Sequence, residues 1–246
     1  MPKTNLYRQK LRTLADWDAF LMQESGLPGP RGNLELAQAV VEEGDAALFH
    51  RYLALDPARA PENSPGVFLA FCGAVGLGKL LAQGDKAALP KLRTLSHDPR
   101  WRIREGVAMA LQRYGEENMV ALLQAMQSWA GGDCLEQRAA AAALCEPRLL
   151  ADKDIARQVL AILDEITASI ELLTDRKDKA FQVLRKSMGY CWSVAVVATP
   201  EVGKPMMEKW MLSQDRDIRW IMRENLKKAR LERMDASWVE YWKSTQ

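Results

Sequence analysis

The string DPRWRIRE at residues 98–105 recurs as DIRWIMRE at residues 217–224, with Asp, Arg, Trp, Arg and Glu at the same spacing. Two copies of such a string indicate either a pair of binding sites or one structural unit that is duplicated along the chain. The surrounding sequence favours the second interpretation, because patterns typical of helices run through almost all of it.

Helical periodicity is clearest between Asp154 and Leu173, where the apolar residues recur at steps of three and four. This spacing places them on one face of a single long helix. The same rhythm is present at residues 103–114 and 34–41. Strand-like alternation is nearly absent, and the best strand candidate, SVAVVAT at residues 193–199, fits a buried helix equally well. The sequence therefore predicts an all-α protein.

Turn residues separate these helices at short intervals. Asn33, Asp98 and Asp154 stand where helix N-caps are expected, and Pro99 suits the first position of a helix. No low-complexity segment or long linker interrupts the chain, which predicts a single domain over residues 1–246. The predicted breaks lie at residues 26–33, 56–66, 83–90, 114–118, 130–133 and 199–205.

The segment HDPRWRIREGVAMAL, residues 97–111, resembles the second helix of a HEAT repeat. It has an Asp in the turn, a branched residue followed by Arg, and then small residues and Leu. A weaker form follows Asp133, where Arg138 stands 34 residues after Arg104 and precedes a run of alanines that allows close helix packing.

The resemblance implies an α-α superhelix, a HEAT or armadillo-like solenoid of about five to seven stacked helix pairs. It also implies structural roles for the repeated residues. Asp98 and Asp217 would cap helices, and Arg104 and Arg223 would join adjacent repeats in a ladder. Trp101 and Trp220 belong to the same repeat motif.

Composition excludes several classes of protein. The net charge of +2 is too small to indicate a nucleic-acid-binding or membrane-surface protein by itself, so any basic surface must be local. The first residues lack the apolar core of an export signal, and no long apolar run predicts a membrane span. Four separated cysteines and two histidines fit no zinc spacing. We expect a cytoplasmic protein with reduced cysteines, no metal and no membrane partner.

The segment GAVGLGKL, residues 73–80, matches a phosphate-binding loop at Gly73, Gly78 and Lys79. Leu80 replaces the Ser or Thr that would bind magnesium, and the preceding VFLAFC is typical of helix rather than strand. We interpret the segment as a helix packed through small residues, and we expect no cofactor. No catalytic triad can be assembled from the sequence either.

A basic stripe is predicted near the C-terminus. Residues 216–233 contain seven Lys or Arg against three acids. On one continuous helix, five of the cations fall along one edge, and they are Arg216, Arg219, Arg223, Lys227 and Arg230. Such a stripe fits a row of phosphates or an acidic partner helix. The alternative is a solvated face in which Arg219 or Arg223 joins the inter-repeat ladder.

The length, the helical repeats and the stripe also resemble the alkylpurine DNA glycosylases built from HEAT-like repeats. In that family a Trp followed four residues later by Asp flanks the damaged nucleotide, and Trp129 and Asp133 have this spacing. Gly131 and Gly132 between them predict a turn, which departs from the family's local context. Four tryptophans cluster in the C-terminal region, and they can stack on bases or fill gaps between repeats: Trp210, Trp220, Trp238 and Trp242.

Taken together, the residues favour a non-enzymatic binding or scaffold protein whose curved face holds a macromolecular partner. The partner would be a protein or peptide, or duplex DNA at the basic stripe. A DNA glycosylase is the alternative.

Overall fold

Helices joined by short turns make up the computed structural model, which describes residues 2–245. No strand occurs among these residues, so the all-α prediction is confirmed. Contacts between residues divide the chain into two compact units, the first ending at Glu117 and the second beginning at Asn118. The single solenoid domain over residues 1–246 stays a prediction.

The first unit is built from helices that pack against the next helix but one. In this way α1, α3, α5 and α7 contact each other in succession, while α4 packs on α5, and α6 packs on both α5 and α7. The bounds are α1 (Lys3–Leu11), α2 (Asp18–Glu24), α3 (Leu34–Glu43), α4 (Ala46–Leu53), α5 (Gly66–Ala82), α6 (Ala88–Leu95) and α7 (Trp101–Glu117).

Two glycines let α5 pack unusually close to its neighbours. A Cβ atom at Gly76 would lie 2.4 Å from the ring of Phe49 in α4, and one at Gly78 would lie 2.4 Å from the carbonyl oxygen of Ala110 in α7. No side chain fits at either position without movement of a neighbour. The helix interpretation of GAVGLGKL is therefore confirmed, and its glycines serve helix packing.

Lys79, the lysine of the same segment, reaches the end of α3. Its Nζ donates hydrogen bonds to the carbonyl oxygens of Glu42 and Gly44 at 2.8 and 2.9 Å. These carbonyls belong to a helix C-terminus, where a cation satisfies unpaired acceptors and the negative end of the helix dipole. Lys79 thus stabilises the α3–α5 packing.

The second unit repeats the alternating arrangement. The helices α9, α11 and α13 pack in one succession, and α8, α10 and α12 pack in another. The bounds are α8 (Met119–Ala130), α9 (Cys134–Leu144), a 3-10 helix (Pro147–Leu150), α10 (Lys153–Glu171), α11 (Lys179–Ala198), α12 (Pro200–Met211), α13 (Arg216–Leu226), α14 (Ala229–Met234) and α15 (Ala236–Thr245).

A buried amide fixes α13 against α11. The Nδ2 of Asn225 donates to the carbonyl oxygen of Met188 at 2.8 Å, and its Oδ1 accepts from the backbone N–H of Ser193 at 2.8 Å. Because Asn225 is fully buried, losing either bond would leave a polar group without a partner. This contact sets the position of the helix that carries most of the predicted stripe.

Several predicted boundaries need correction. Asn33 caps α3 as expected, but α10 is capped by Asp152, whose carboxylate accepts from the backbone N–H of Asp154, so Asp154 already lies in the first turn. The predicted break at residues 114–118 narrows to Asn118, since α7 continues to Glu117. The predicted turn at residues 199–205 lies mostly in α12, which begins at Pro200. The segment at 193–199 belongs to α11 up to Ala198.

None of the helices within residues 2–245 has both the length and the apolar character needed to cross a lipid bilayer.

Candidate functional site

The first copy of the repeated string begins with a buried ion pair. Asp98 accepts a hydrogen bond from the backbone N–H of Arg100 at 2.8 Å and binds its guanidinium through Nε at 2.9 Å and Nη2 at 2.7 Å. Arg100 also donates to the carbonyl oxygens of Leu55 and Ala60. Because α7 begins only at Trp101, Asp98 is not the N-cap of that helix. Its role is to pair a buried arginine that holds the preceding loop.

Arg104 contacts the same turn. Its Nη1 donates to the carbonyl oxygens of Asp98 and Pro99 at 2.5 and 2.9 Å. Both acceptors precede the first residue of α7, so Arg104 fastens the start of its own helix. A ladder between adjacent repeats through Arg104 stays a prediction.

The second copy uses a different acid as its cap. Asp215 accepts from the backbone N–H groups of Asp217 and Ile218 at 2.8 and 3.1 Å, so it is the N-cap of α13 and the prediction for Asp217 is wrong. Asp217 is only 6% exposed. It lies in the first helical turn, where a carboxylate also interacts favourably with the helix dipole.

Two arginines that the sequence did not single out surround Asp217. Arg185 of α11 places its Nε 2.8 Å from Oδ1, and Arg176 lies 3.5 Å from Oδ2 through Nη1. Arg176 also binds Asp215 at 2.7 Å. The resulting cluster joins α13 to α11 and to the loop before α11. The resemblance to HEAT repeats implied that Arg223 joins neighbouring helices. Here Arg185 and Arg176 make such a contact instead.

Both copies of the string place a guanidinium over their tryptophan. In the first copy the group belongs to the next residue, Arg102, whose Cζ lies 4.4 Å from the ring centroid of Trp101. In the second copy it belongs to Arg185, 3.8 Å from Trp220. Trp101 remains 44% exposed. Cation–π stacking of this kind is worth about 0.5–1 kcal/mol at exposed sites and more when it is shielded from water.

The predicted basic stripe is divided between two helices. The structure ends α13 at Leu226, extends the chain at Lys228 and begins α14 at Ala229. A single helix through residues 216–233 is therefore wrong. Arg216, Arg219 and Arg223 share α13, whereas Lys227 is its C-cap residue and Arg230 lies on α14.

The three arginines of α13 form an exposed edge at positions i, i+3 and i+7. The side chain of Arg216 is 82% exposed, with Nε 3.8 Å from Asp217. Arg219 and Arg223 are also exposed, and within residues 2–245 neither makes an ion pair or a hydrogen bond through its side chain. The structure thus provides no ladder contact for either residue. Lys227 pairs with Glu224 of the same helix at 2.5 Å.

Arg230 has a different environment from the α13 edge. Its guanidinium carbon lies 4.4 Å from the ring centroid of Tyr190 in α11, and Nη2 donates to the Tyr190 hydroxyl at 2.5 Å. Arg230 also lines an apolar groove of about 360 Å³ together with Arg233. The other groove residues are Pro147, Leu150, Val194, Val197 and Ala198.

Three of the C-terminal tryptophans serve packing. Trp210, Trp238 and Trp242 are each less than a tenth exposed. The indole N–H of Trp210 donates to Asp164 at 2.7 Å, and that of Trp238 donates to Glu208 at 2.6 Å. These bonds satisfy the indole N–H groups of Trp210 and Trp238, as packed tryptophans require.

Trp129 and Asp133 stand on either side of the predicted turn, which is confirmed. Asp133 is the exposed N-cap of α9, and its Oδ1 accepts from the N–H groups of Leu135 and Glu136 at 2.9 and 3.0 Å. Trp129 is 3% exposed. In this arrangement the ring would have to leave the interior before it could flank a nucleotide.

The cysteines are free thiols in this structure, and Cys72, Cys145 and Cys191 are buried. Burial raises the pKa of the Cys72 thiol and of the Cys145 thiol, which keeps both protonated and unreactive. A hydrogen bond from Cys145 lowers the pKa of Cys191. Within residues 2–245 no three His, Cys, Asp or Glu side chains converge as metal ligands. A metal-free protein stays a prediction.

Comparison of the chain with models of protein families, with characterised proteins and with solved structures found no match.

Proposed function

We propose that this chain is a non-enzymatic, HEAT-like helical-repeat protein that holds an acidic, amphipathic helix of a protein partner. The binding surface is called the α13–α14 surface, and it comprises the exposed arginine edge of α13, Lys227, Arg230 and the apolar groove beside Arg230. The alternating succession of helices in each unit supports the helical-repeat architecture, because stacked helix pairs produce this packing.

The spacing of the arginines suits a helical partner. Arg216, Arg219 and Arg223 follow the i, i+3, i+7 pattern of one helix edge. A partner helix has the same rise per residue, so glutamates at the same spacing would meet all three guanidinium groups. Exposed ion pairs contribute only about 0.2–1 kcal/mol each, so these contacts provide orientation and a faster association rate more than affinity.

Most of the affinity must then come from burial of the partner's apolar side chains, and the groove beside Arg230 provides an apolar surface for them. Arg230 and Arg233 stand at a groove whose remaining lining is apolar and includes the partly exposed Val197. The single observation that carries the proposal is that Arg230 and Arg233 line this groove, which places two cations beside apolar surface. An amphipathic acidic helix complements both.

Duplex DNA is the less favoured partner because the surface offers few free cations. Within the stripe Lys227 pairs with Glu224 and Arg230 with Tyr190, which leaves the exposed Arg219 and Arg223 and the 82% exposed Arg216, whose Nε lies 3.8 Å from Asp217. Three phosphate contacts would give a salt dependence of only about 40-fold between 50 and 200 mM, compared with 10³–10⁵ for proteins that make 6–10 contacts. The DNA glycosylase alternative gains no support from the buried Trp129 and the capping Asp133.

The proposal can be tested with a designed probe. A fluorescein-labelled helix of about 20 residues, with Glu along one edge and Leu beside it, is titrated with the full chain, and a version with Lys in place of Glu serves as the control. We expect the Glu helix to bind at least tenfold more tightly than the Lys helix. Equal affinities would contradict the proposal, and tight displacement of the peptide by a 24-base-pair duplex would favour nucleic acid instead.

A pair of charge-matched variants locates the site. Replacing Arg219 and Arg223 with Glu should weaken binding of the Glu helix at least tenfold, because the free arginines become repulsive. Replacing Lys86 and Lys91 with Glu makes the same change in net charge on exposed residues of the first unit, and it should leave the affinity within twofold. Equal losses in both variants would show that only net charge matters.

A further inference from the structure

A second cavity lies in the first unit, apart from the α13–α14 surface. Its volume is about 270 Å³, and it is bounded by the loop before α3 and by α3, α5 and α7. Most of its walls are apolar, with three charged residues among them. The lining residues are Leu27, Pro30, Arg31, Gly32, Leu34, Phe68, Phe71, Trp101, Arg102 and Glu105.

Arg102 is the buried charge of this cavity, at 6% exposure. Its Nη2 donates to the carbonyl oxygen of Gly29 at 2.6 Å, and Trp101 stacks against the guanidinium. The Nε lies 3.7 Å from Oε1 of Glu62, and both atoms are buried without a hydrogen bond. The guanidinium is therefore held in place while its donors are only partly used.

The remaining nitrogen, Nη1, lies at the cavity wall. A Cβ atom at Gly32 would be 3.9 Å from Nη1 and 3.9 Å from Cδ2 of Phe68. All three of these residues line the cavity, and Nη1 donates no hydrogen bond to any of the residues 2–245. Nε is among the buried atoms that lack a hydrogen bond and Nη1 is not, so Nη1 keeps some access to solvent at the cavity. An incoming anion can therefore accept a charge-assisted hydrogen bond from Nη1 in place of water.

We propose that this cavity binds a small monocarboxylic acid with an apolar body. The carboxylate accepts from Nη1 of Arg102, the exposed Arg31 adds positive charge at the cavity, and the body packs against Phe68 and Phe71. The volume falls just below the range of about 300–1,000 Å³ that suits drug-sized ligands, so the ligand has on the order of ten non-hydrogen atoms. Glu105 in the same wall disfavours a second carboxylate by like-charge repulsion.

The first test compares three probes of nearly equal shape. Isothermal titration calorimetry of the full chain is carried out with 3-phenylpropanoate, the alcohol 3-phenylpropan-1-ol and the amine 3-phenylpropylamine. We expect the acid to bind at least tenfold more tightly than the alcohol or the amine, since only the acid pairs with Arg102. The absence of acid binding at millimolar concentration, or equal binding of acid and alcohol, would overturn the proposal.

Two variants test whether the acid binds in this cavity. Gly32→Leu introduces a side chain between Nη1 and Phe68, at a backbone position where a Cβ makes only ordinary contacts, so it should abolish acid binding in a folded protein. Arg102→Gln should reduce the affinity at least tenfold, while Arg59→Gln, an exposed arginine outside the cavity, should not. Unchanged acid binding in Gly32→Leu would overturn the proposal even if Arg102→Gln fails to fold.

Discussion

The carboxylate of Asp217 in α13 lies 2.8 Å from the guanidinium Nε of Arg185 in α11. The same guanidinium stacks on Trp220, one turn along from Asp217 on α13. The duplicated string therefore contributes two residues, an acid and an aromatic ring, to one contact between neighbouring helices. In the second copy, the repeated Asp and Trp of the string are therefore explained by helix packing. The exposed arginines of this copy, Arg219 and Arg223, make no such contact.

Asp217→Asn should lower the free energy of unfolding by about 3 kcal/mol, because it leaves Arg185 without its buried countercharge, whereas Arg176 keeps Asp215. Chemical denaturation of the full chain measures the change. Asp154→Asn, at a carboxylate that is 80% exposed, is the matched control and should change stability by less than about 0.5 kcal/mol. Equal stabilities of the two variants would contradict the structural role of Asp217.

Asp98→Ala should lower the free energy of unfolding by about 3 kcal/mol, because the buried Arg100 would lose its ion pair. This loss is larger than the roughly 0.5–2 kcal/mol expected for a lost helix cap. Removing both charges with Asp98→Leu and Arg100→Met should cost less than the single change, since no unpaired charge remains. Thermal unfolding of the three proteins tests this order. A double variant that is less stable than Asp98→Ala would count against it.

Gly76→Ala should destabilise the protein by about 1–3 kcal/mol, because the added methyl group meets the ring of Phe49 at 2.4 Å. Gly131→Ala is the control, because its Cβ would lie 3.8 Å from its one neighbour within 4 Å, the carbonyl oxygen of Ser128. Its effect should stay within about 0.5 kcal/mol. Combining Gly76→Ala with Phe49→Leu should restore part of the helix packing, and a fully additive loss would argue against the proposed clash.

The stability contribution of Glu43 should disappear in acid. Hydrogen bonds from Arg12 and then Arg8 lower the pKa of Glu43 to about 2 in the folded chain, against 4.5 as its ordinary value. A carboxyl with a depressed folded pKa stabilises the fold above its unfolded pKa and loses that effect as pH falls toward the folded pKa. The difference in stability between wild type and Glu43→Gln should therefore shrink between about pH 4.5 and 2. A constant difference across this range would contradict the ion-pair assignment.

Asp133 should act as a helix cap and not as a catalytic group. Asp133→Ala should cost about 0.5–2 kcal/mol, whereas Asp133→Asn should be nearly neutral, since Asn caps helices as well as Asp does. The purified chain should release no alkylated base from a methylated duplex. Base release that is lost in Asp133→Asn without a change in stability would instead favour the glycosylase alternative.

The helical fold could be predicted because periodicity is a local property of the sequence. The helix expected from Asp154 to Leu173 is observed at Lys153–Glu171, and the predicted turn before Asp133 is confirmed. The end of α13 could not be predicted, since Lys227 and Lys228 are good helix formers and the apolar spacing continues past them. The end reflects packing between helices, with Asn225 bonded to α11 and Leu231 of α14 fully buried.

The candidate sites could be predicted only in part, because helical periodicity shows which residues share a helix face but not which distant residues pair. Arg216, Arg219 and Arg223 were predicted to lie on one edge, and they do so because they share one helix. Arg176 and Arg185 could not be linked to Asp217, because long-range pairing leaves no mark on spacing. The cavity at Arg102 could not be predicted for the same reason, since its walls come from three separate segments of the chain, residues 27–34, 68–71 and 101–105.

The alternating helix packing also bears on how the chain folds during its synthesis. In the first unit, each of α3, α5 and α7 packs against the helix two positions before it, so every layer finds its partner among residues already made. Contacts so close in sequence give low contact order, for which folding takes about microseconds to milliseconds. Ribosomes add about 5–20 residues per second. The helices from α1 to α7 can therefore pack while later helices of the second unit are still being translated, which limits the time that the apolar surface of α5 is exposed to aggregation.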